Sequence, residues 1–170
     1  MDEGQRIRGK IHELVEQYYR HADVGTLSQS ALYENLGALV GRTATTVEAE
    51  INSYLQINTE VVRVIEMLHR DYKIGLCSNA PVGYVQHIMR EHDLLQYFDA
   101  ITISSDVGCR KPDPCIFVKA LDALGVPVEE AVFVDDNPQY TEAATAFGIT
   151  SVHFEDATQM VGEFTHLGFM

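Results

Sequence analysis

The spacing of apolar residues along the chain changes at about residue 70. Before that point, apolar side chains recur every three or four residues, which is the spacing of amphipathic helices. Gly25, Gly41 and Asn58 interrupt this pattern and mark the breaks between helices. The pattern predicts four helices: one containing Ile7, Ile11, Leu14, Val15 and Tyr18, one from Ser28, one from a capping box at Thr45–Glu48, and one from about Asn58.

From Tyr72 onward, short apolar runs alternate with helical patterns. The runs predict strands at 72–77, 100–104, 131–135 and 150–154. Helices are predicted between them and at the end of the chain, at roughly 81–92, from Pro114 to near Gly125, at 138–147, and from about Ala157. This alternation is typical of parallel βαβ units with right-handed crossovers. We therefore expect an α/β core over residues 58–170, preceded by a helical region over residues 1–57.

Composition narrows the class of protein. The chain has 170 residues, of which 46% are hydrophobic and 22% charged, which is typical of a soluble globular protein with a real core. Its net charge of −13 argues against nucleic acid or an anionic membrane as the main partner. The polar, charged start does not resemble a secretory signal. Three cysteines without a C-x-x-C pair indicate neither a disulfide framework nor a zinc site, so we expect a cytoplasmic protein.

Polar residues follow the predicted strands where ligands bind in open parallel sheets. Ser78 and Asn79 follow the first strand, Asp135 and Asp136 end the third, and Lys111 lies between them in GCRKPDP. A serine hydroxyl and a lysine ammonium can bind phosphate, and two carboxylates suit Mg²⁺. Together these residues predict a site for a phosphate and a hard divalent cation.

Each of these motifs also has a purely structural interpretation. Ser78 and Asn79 are common turn residues, and a lysine beside prolines can simply precede a helix. Asp135 could cap the helix that follows, with Pro138 in its first turn. That interpretation accounts for one of the two acidic residues, whereas a metal site accounts for both.

In this order and spacing, the motifs resemble those of the haloacid dehalogenase superfamily, whose members include Mg²⁺-dependent phosphohydrolases. The resemblance covers nearly the whole chain. It implies that Ser78, with Asn79 beside it, binds the transferring phosphoryl group, and that Lys111 is catalytic, steadying the nucleophile and the phosphate. It also implies that Asp136 binds Mg²⁺ directly and that Asp135 lies behind it as part of the metal site.

The resemblance also implies an architecture and a substrate class. The core is expected to be Rossmann-like. Residues 1–57 resemble the small helical cap of the subfamily that includes phosphoglycolate-phosphatase-like enzymes and the phosphatase domain of epoxide hydrolases. The implied substrate is a small phosphorylated metabolite. Haloacid dehalogenation is the less favoured chemistry, because that branch uses no metal. A bacterial receiver domain carries similar residues, but there the acidic pair comes first and the lysine last.

One element of the family pattern is absent from the sequence. Family members begin with a D-x-D motif at the end of a central first strand, whose first Asp is the nucleophile and whose second is the general acid and base. D-x-D occurs nowhere in this chain. We therefore expect a chain that does not turn over substrate by itself, and its start at the expected cap favours an upstream piece that was lost or not recorded. The alternative is a catalytically dead module that binds or regulates.

The same absence predicts a gap in the sheet, between the strands at 72–77 and 131–135. Unpaired buried backbone groups cost about 1–3 kcal/mol each, so we expect a structural response. The two strands could close onto each other, or a segment from outside the chain could fill the gap. Either a homodimer or a strand-donating partner would fit exposed edges of this kind.

Overall fold

The structure is a computed structural model that describes the backbone of residues 3–170 and the side chains of residues 10–170. The predicted helix around residues 7–18 is present, although the side chain of Ile7 lies outside the described residues. No helix in the described part of the chain is both long and apolar enough to cross a membrane. The first four helices are α1 (Glu3–Asp23), α2 (Gln29–Val40), α3 (Ala44–Ser53) and α4 (Thr59–Leu68).

Polar residues set the starts of α2, α3 and α4. Ser28 and Asn58 cap their helices as predicted, each accepting hydrogen bonds from backbone N–H groups of the first turn. The predicted capping box is wrong. Thr43 caps α3 instead, and its hydroxyl accepts from the N–H of Thr46 at 3.2 Å. The helix starts earlier because two threonines compete as caps, and Thr43 is the one in the extended conformation that a cap requires.

The helices α1, α2 and α3 pack around a small apolar cluster of their own. Gly37 allows the chain to turn tightly between α2 and α3, since a Cβ there would lie 2.5 Å from the carbonyl oxygen of Arg42. The boundary of this helical region at residue 57 stays a prediction. The buried members of the cluster are Ala22, Leu32, Tyr33, Leu36 and Val47.

The remainder of the chain alternates strands and helices as predicted. Its strands are β1 (Gly75–Ser78), β2 (Ala100–Ile103), β3 (Val132–Asp135) and β4 (Thr150–His153). Its helices are α5 (Tyr84–Glu91), α6 (Ser104–Val107), α7 (Pro114–Leu124), α8 (Pro138–Phe147) and α9 (Ala157–His166). The predicted bounds of the strands lie within three residues of these, and the α/β fold is confirmed.

The four strands form two separate parallel pairs. In the first pair, Gly75 of β1 lies opposite Ala100 of β2. In the second, Val132 of β3 lies opposite Thr150 of β4. Within the described residues, β1 and β3 do not pair with each other. The strands on the two sides of the expected gap have therefore not closed onto one another.

Helices cover both faces of the strands. Phe133 of β3 packs with a cluster centred on Ile116 and Phe117 of α7. Its neighbours Val132 and Val134 pack on the opposite side, with Phe164 and other residues of α4 and α9. This alternation is expected because successive side chains of a strand point to opposite faces. The result is a layered core that presents the carboxyl ends of β1 and β3 toward the N-terminal helices.

Candidate active site

A cleft of about 540 Å³ lies where the ends of β1 and β3 meet the N-terminal helical region. All five residues that the sequence singled out line this cleft: Ser78, Asn79, Lys111, Asp135 and Asp136. They come from three separate segments, and the parallel strands bring them together because their carboxyl ends lie at one edge. The predicted site is therefore a single place in the structure, and the roles assigned to its residues stay predictions.

Lys111 is the buried centre of the cleft, with 6% of its surface exposed. Its Nζ donates to the carbonyl oxygen of Cys77 at 3.0 Å and to Oδ2 of Asp135 at 2.5 Å. It also lies 5.4 Å from the ring centroid of Phe133 and 5.1 Å from that of Tyr140, within cation–π range. Lys111 thus links the end of β1 to the end of β3, and its ammonium keeps one further donor for a ligand.

Asn79 fixes the main chain of Lys111. Its Oδ1 accepts from the N–H of Lys111 at 2.8 Å, and its Nδ2 donates to the carbonyl oxygen of the same residue at 3.0 Å. Nδ2 also lies 3.3 Å from the hydroxyl of Tyr140. The amide is fully engaged by these contacts, so in this arrangement Asn79 positions Lys111, and Ser78 is the one of the two with a side chain available to a phosphate.

The adjacent carboxylates Asp135 and Asp136 have different environments. The side chain of Asp135 is 8% exposed, and its two oxygens accept from Lys111 and from the N–H of Asn137. Asp136 is exposed, and its carbonyl oxygen lies 3.0 Å from Nε2 of His153. Like charges side by side are tolerated here because the ammonium neutralises the buried one and solvent screens the other.

The helix α8 does not use Asp135 as its cap. Its cap is Asn137, whose Oδ1 accepts from the N–H of Gln139 at 3.0 Å. The structural interpretation of Asp135 as a cap is therefore wrong, because the residue two positions later is in the extended conformation and already supplies the acceptor.

The donor set of the cleft fits an open cation site. Among the described residues, no three His, Cys, Asp or Glu side chains converge on one point. Mg²⁺ needs no such cluster, since it binds through one or two carboxylates and keeps several waters or substrate oxygens. Of the acidic pair, Asp136 is the carboxylate available for that role, because both oxygens of Asp135 already accept hydrogen bonds.

Three charged residues that line the cleft were missed by sequence reasoning: Glu16, Asp23 and Arg110. Nη1 of Arg110 lies 3.4 Å from Oδ2 of Asp23, and the Asp23 side chain is 7% exposed. Nη1 is buried without a well-aligned hydrogen-bond partner among the described residues. Burial raises the pKa of Asp23, and Arg110 opposes this by lowering it. The one available signal was the position of Arg110 beside Lys111; nothing in the sequence marked Asp23.

The tyrosines of the N-terminal helices divide into three groups. Tyr19 lines the cleft, and burial raises its pKa. Tyr18 and Tyr33 pack into the helical cluster. Tyr54 is 84% exposed. It follows Ser53, the last residue of α3.

A disulfide encloses the segment that carries Lys111. It joins Cys109 to Cys115, with 6.1 Å between their Cα atoms. The expectation of no disulfide framework is therefore wrong. The two cysteines lie six residues apart, and the turn at Lys111–Asp113 brings them within bridging distance, which their spacing alone does not reveal. The third cysteine, Cys77, is free, and burial raises its pKa to about 11, so its thiol stays protonated at neutral pH.

Comparison with known proteins agrees with this fold. Residues 3–148 match the haloacid dehalogenase-like hydrolase family. The chain therefore belongs to the haloacid dehalogenase-like hydrolases.

Its relatives include enzymes named as phosphatases. The chain is 52% identical over 74 residues to a phosphoserine phosphatase of Thermus thermophilus, covering 44% of this chain and 30% of that protein. It is 28% identical over 117 residues to a flavin mononucleotide hydrolase of Arabidopsis thaliana, covering 68% of this chain and 46% of that protein. The chain thus spans less than half the length of these curated relatives.

A solved structure shares the fold. An enzyme of this superfamily from Bacteroides thetaiotaomicron superimposes with a TM-score of 0.76 at 20% identity, covering 92% of this chain and 84% of that one. Another structure of that enzyme contains magnesium and inorganic phosphate.

Proposed function

We propose that this chain is the scaffold of a Mg²⁺-dependent hydrolase that acts on phosphate monoesters of a small metabolite. Ser78 and Lys111 hold the phosphate, and Asp136 holds the cation. The proposal is carried by one observation: a buried ammonium with a free donor, a hydroxyl at a strand end and an exposed carboxylate share one cleft. The cleft volume falls in the range of small-molecule sites.

Each polar residue of the cleft has a separate role in binding the substrate. Lys111 places a positive charge against the phosphate and is held in position by Asn79 and Asp135. The hydroxyl of Ser78 donates to a phosphate oxygen. Mg²⁺, when bound, neutralises negative charge on the phosphate. Arg110 lies at the side of the cleft nearest α1, where its buried Nη1 favours a polar or anionic group on the rest of the substrate.

We further propose that this chain alone does not turn over substrate. The D-x-D pattern does not occur in its sequence. The carboxylate of Asp135 in the cleft is committed to Lys111, and the thiol of Cys77, next to Ser78 on β1, is protonated at neutral pH. Neither is therefore a competent nucleophile, and loss of a nucleophile removes most of an enzyme's rate.

The test separates binding from turnover. Calorimetric titration of the 170-residue chain with Mg²⁺ in the presence of inorganic phosphate is expected to show binding, and Asp136→Asn to weaken it roughly tenfold or more. Glu142→Gln, which changes another exposed carboxylate, on α8, is the matched control and should bind like the wild type.

Equal Mg²⁺ binding by Asp136→Asn and the wild type would remove the cation role of this residue. Mg²⁺-dependent hydrolysis of p-nitrophenyl phosphate by the unmodified chain would overturn the proposed inactivity. A catalytically dead binding module is the second candidate function. It is favoured by the facing edges of β1 and β3, which pair with no strand among residues 3–170. Hydrolysis of a haloacid is less favoured, because Asp136 is left free for a metal that such chemistry does not use.

A further inference from the structure

The segment that carries Lys111 is closed on itself by the disulfide between Cys109 and Cys115. We name residues 109–115 the lysine loop. The loop also contains Arg110, so both cationic side chains that line the cleft among the described residues belong to it. The disulfide therefore lies beside a binding site, where a change in its state can alter what the site binds.

Each cysteine of the bridge is anchored at the end of a helix. Cys109 follows Gly108, which ends α6 in the left-handed conformation with a φ of 74°. Cys115 lies in the first turn of α7, and its N–H donates to Oδ1 of Asp113 at 2.9 Å. The disulfide consequently ties the end of α6 to the start of α7, and it fixes the two ends of the lysine loop relative to each other.

Few other contacts hold the interior of the lysine loop. The N–H of Asp113 donates to the carbonyl oxygen of Arg110 at 2.8 Å, and Asn79 bonds the main chain of Lys111. Nη1 of Arg110 has no well-aligned hydrogen-bond partner among the described residues, and it lies 3.4 Å from Oδ2 of Asp23. The position of this guanidinium therefore depends on the main chain of the loop, and so on what fixes the ends of the loop.

The rest of the fold depends little on the disulfide. A cross-link that closes a short loop removes less entropy from the unfolded chain than one that closes a long loop. Cys109 is also buried in an apolar cluster with Ile116 and Phe117, and this packing holds its side chain with or without the bridge. We therefore expect reduction to loosen the lysine loop without unfolding the chain.

The third cysteine does not compete with this pair. Cys77 packs against the same apolar cluster, and burial raises its pKa to about 11. The thiolate is the attacking form in thiol–disulfide exchange, so a thiol that stays protonated at neutral pH does not attack the bridge. The pair consequently has two forms, bridged and reduced.

We propose that Cys109–Cys115 is a thiol–disulfide exchange site that sets the affinity of the cleft for phosphate. The inference rests on the proposed function, because it concerns the phosphate that Ser78 and Lys111 hold. In the bridged form, the lysine loop is ordered before the ligand arrives. In the reduced form, the loop samples more conformations, and ordering it on binding costs conformational entropy. The bridged form is therefore the one with the higher affinity.

The reaction partner that opens the bridge is a dithiol. Its first thiolate attacks Sγ of Cys115, which is half-buried whereas Cys109 is buried. The S–S bond breaks, and the sulfur of Cys109 leaves as a thiolate and takes up a proton. The second thiolate of the reductant attacks the mixed disulfide and releases Cys115, which is protonated in turn. Two electrons pass to the protein and the reductant becomes a cyclic disulfide. A small-molecule disulfide reverses the reaction.

The experiment compares phosphate binding by the two forms of the 170-residue chain. Calorimetric titration with inorganic phosphate in the presence of Mg²⁺ is performed before and after reduction with dithiothreitol. We expect reduction to weaken phosphate binding about fivefold and reoxidation with oxidised glutathione to restore it. Titration of thiols in the denatured chain should show an increase from one to three on reduction, which verifies the state of the pair.

Two variants assign the effect to the bridge. Cys109→Ser/Cys115→Ser cannot form the disulfide, so it should bind phosphate like the reduced chain and should not respond to dithiothreitol. Cys77→Ser is the matched control, because it removes a cysteine and keeps the pair. Its oxidised and reduced forms should differ in phosphate affinity by the same factor as those of the wild type.

The other outcomes each contradict the inference. Equal phosphate affinity of the bridged and reduced chains would overturn it and leave the proposed function intact. A bridge that resists dithiothreitol in the folded chain would do the same. Loss of the circular dichroism signal on reduction would show that the bridge is needed for folding and does not regulate binding. Absence of phosphate binding in both forms would contradict the proposed function together with this inference.

Discussion

The cleft has a volume of about 540 Å³, and a second cavity, lined by residues of β1 and β3 and here named the strand groove, has a similar volume of about 490 Å³ but opposite chemistry. The cleft offers side chains, including a carboxylate, an ammonium and a guanidinium. The groove offers main-chain N–H and C=O groups between apolar walls. A side-chain site can be recognised from residue types, whereas a main-chain site depends on which strands are paired. Lys111 lines the cleft and also donates to the carbonyl oxygen of Cys77 at the end of β1, so a change at Lys111 affects both regions.

The largest expected effect comes from replacing Lys111, whose ammonium contacts the ends of both β1 and β3. Lys111→Met leaves the buried Asp135 carboxylate without its cation, which should lower the free energy of unfolding by about 3–5 kcal/mol. Urea unfolding measures this. Lys119→Met, at an exposed position, is the control and should change stability by less than about 0.5 kcal/mol.

A double variant distinguishes loss of the Lys111–Asp135 ion pair from loss of the packing of Lys111 against its aromatic neighbours. Adding Asp135→Asn to Lys111→Met removes the unpaired charge and should recover part of the stability. No recovery would mean that the ammonium stabilises the strand ends through packing against Phe133 and Tyr140 instead.

An intermediate effect is expected from the disulfide, which belongs to the cleft side of the comparison. Reducing Cys109–Cys115 frees a short loop, and the chain-entropy relation gives a loss of about 2 kcal/mol. Urea unfolding with and without dithiothreitol measures it, and the Cys109→Ser/Cys115→Ser variant should not respond to the reductant. Amide exchange should rise around Lys111 and stay unchanged at Gly75. Equal loosening of both regions would show that the cleft and the groove unfold as one unit.

The smallest expected effect is a pH dependence confined to the cleft. Burial raises the pKa of Asp23, so the folded state holds its proton more tightly than the unfolded state does. The contribution of Asp23 to stability is therefore greatest at low pH and falls as pH rises from its usual pKa through the raised one. Arg110 reduces this shift, and Glu16 adds to it.

Thermal unfolding between about pH 3 and pH 7 checks this prediction. The melting temperature of the wild type minus that of Asp23→Asn should fall as pH rises. Asp122→Asn, which changes an exposed carboxylate on α7, should show no comparable trend. A difference that rises with pH would mean that the attraction of Arg110 outweighs burial.

Local sequence patterns predicted the helices and strands, and they predicted the five residues from strand ends and the GCRKPDP loop that line the cleft. Ser28, Asn58 and Pro114 marked helix starts. Short apolar runs indicated strands, and apolar residues recurring every three or four positions indicated helices. Side-chain environments and pairings between residues depend on tertiary contacts, which local patterns do not reveal. The unequal environments of Asp135 and Asp136 depend on where Lys111 points. The pairing of Cys109 with Cys115 depends on the intervening turn, and the Asp23–Arg110 contact joins residues far apart in sequence.

The hydrogen bonds that hold Lys111 have a kinetic consequence. Asn79 fixes its main chain, and Cys77 and Asp135 fix its ammonium before any ligand arrives, so capture of an anion requires no rearrangement of that residue. The rate of capture is then set by diffusion through the field of a chain with net charge −13, which repels anions. Added salt screens that repulsion, so phosphate should associate faster as ionic strength rises, the reverse of electrostatic steering.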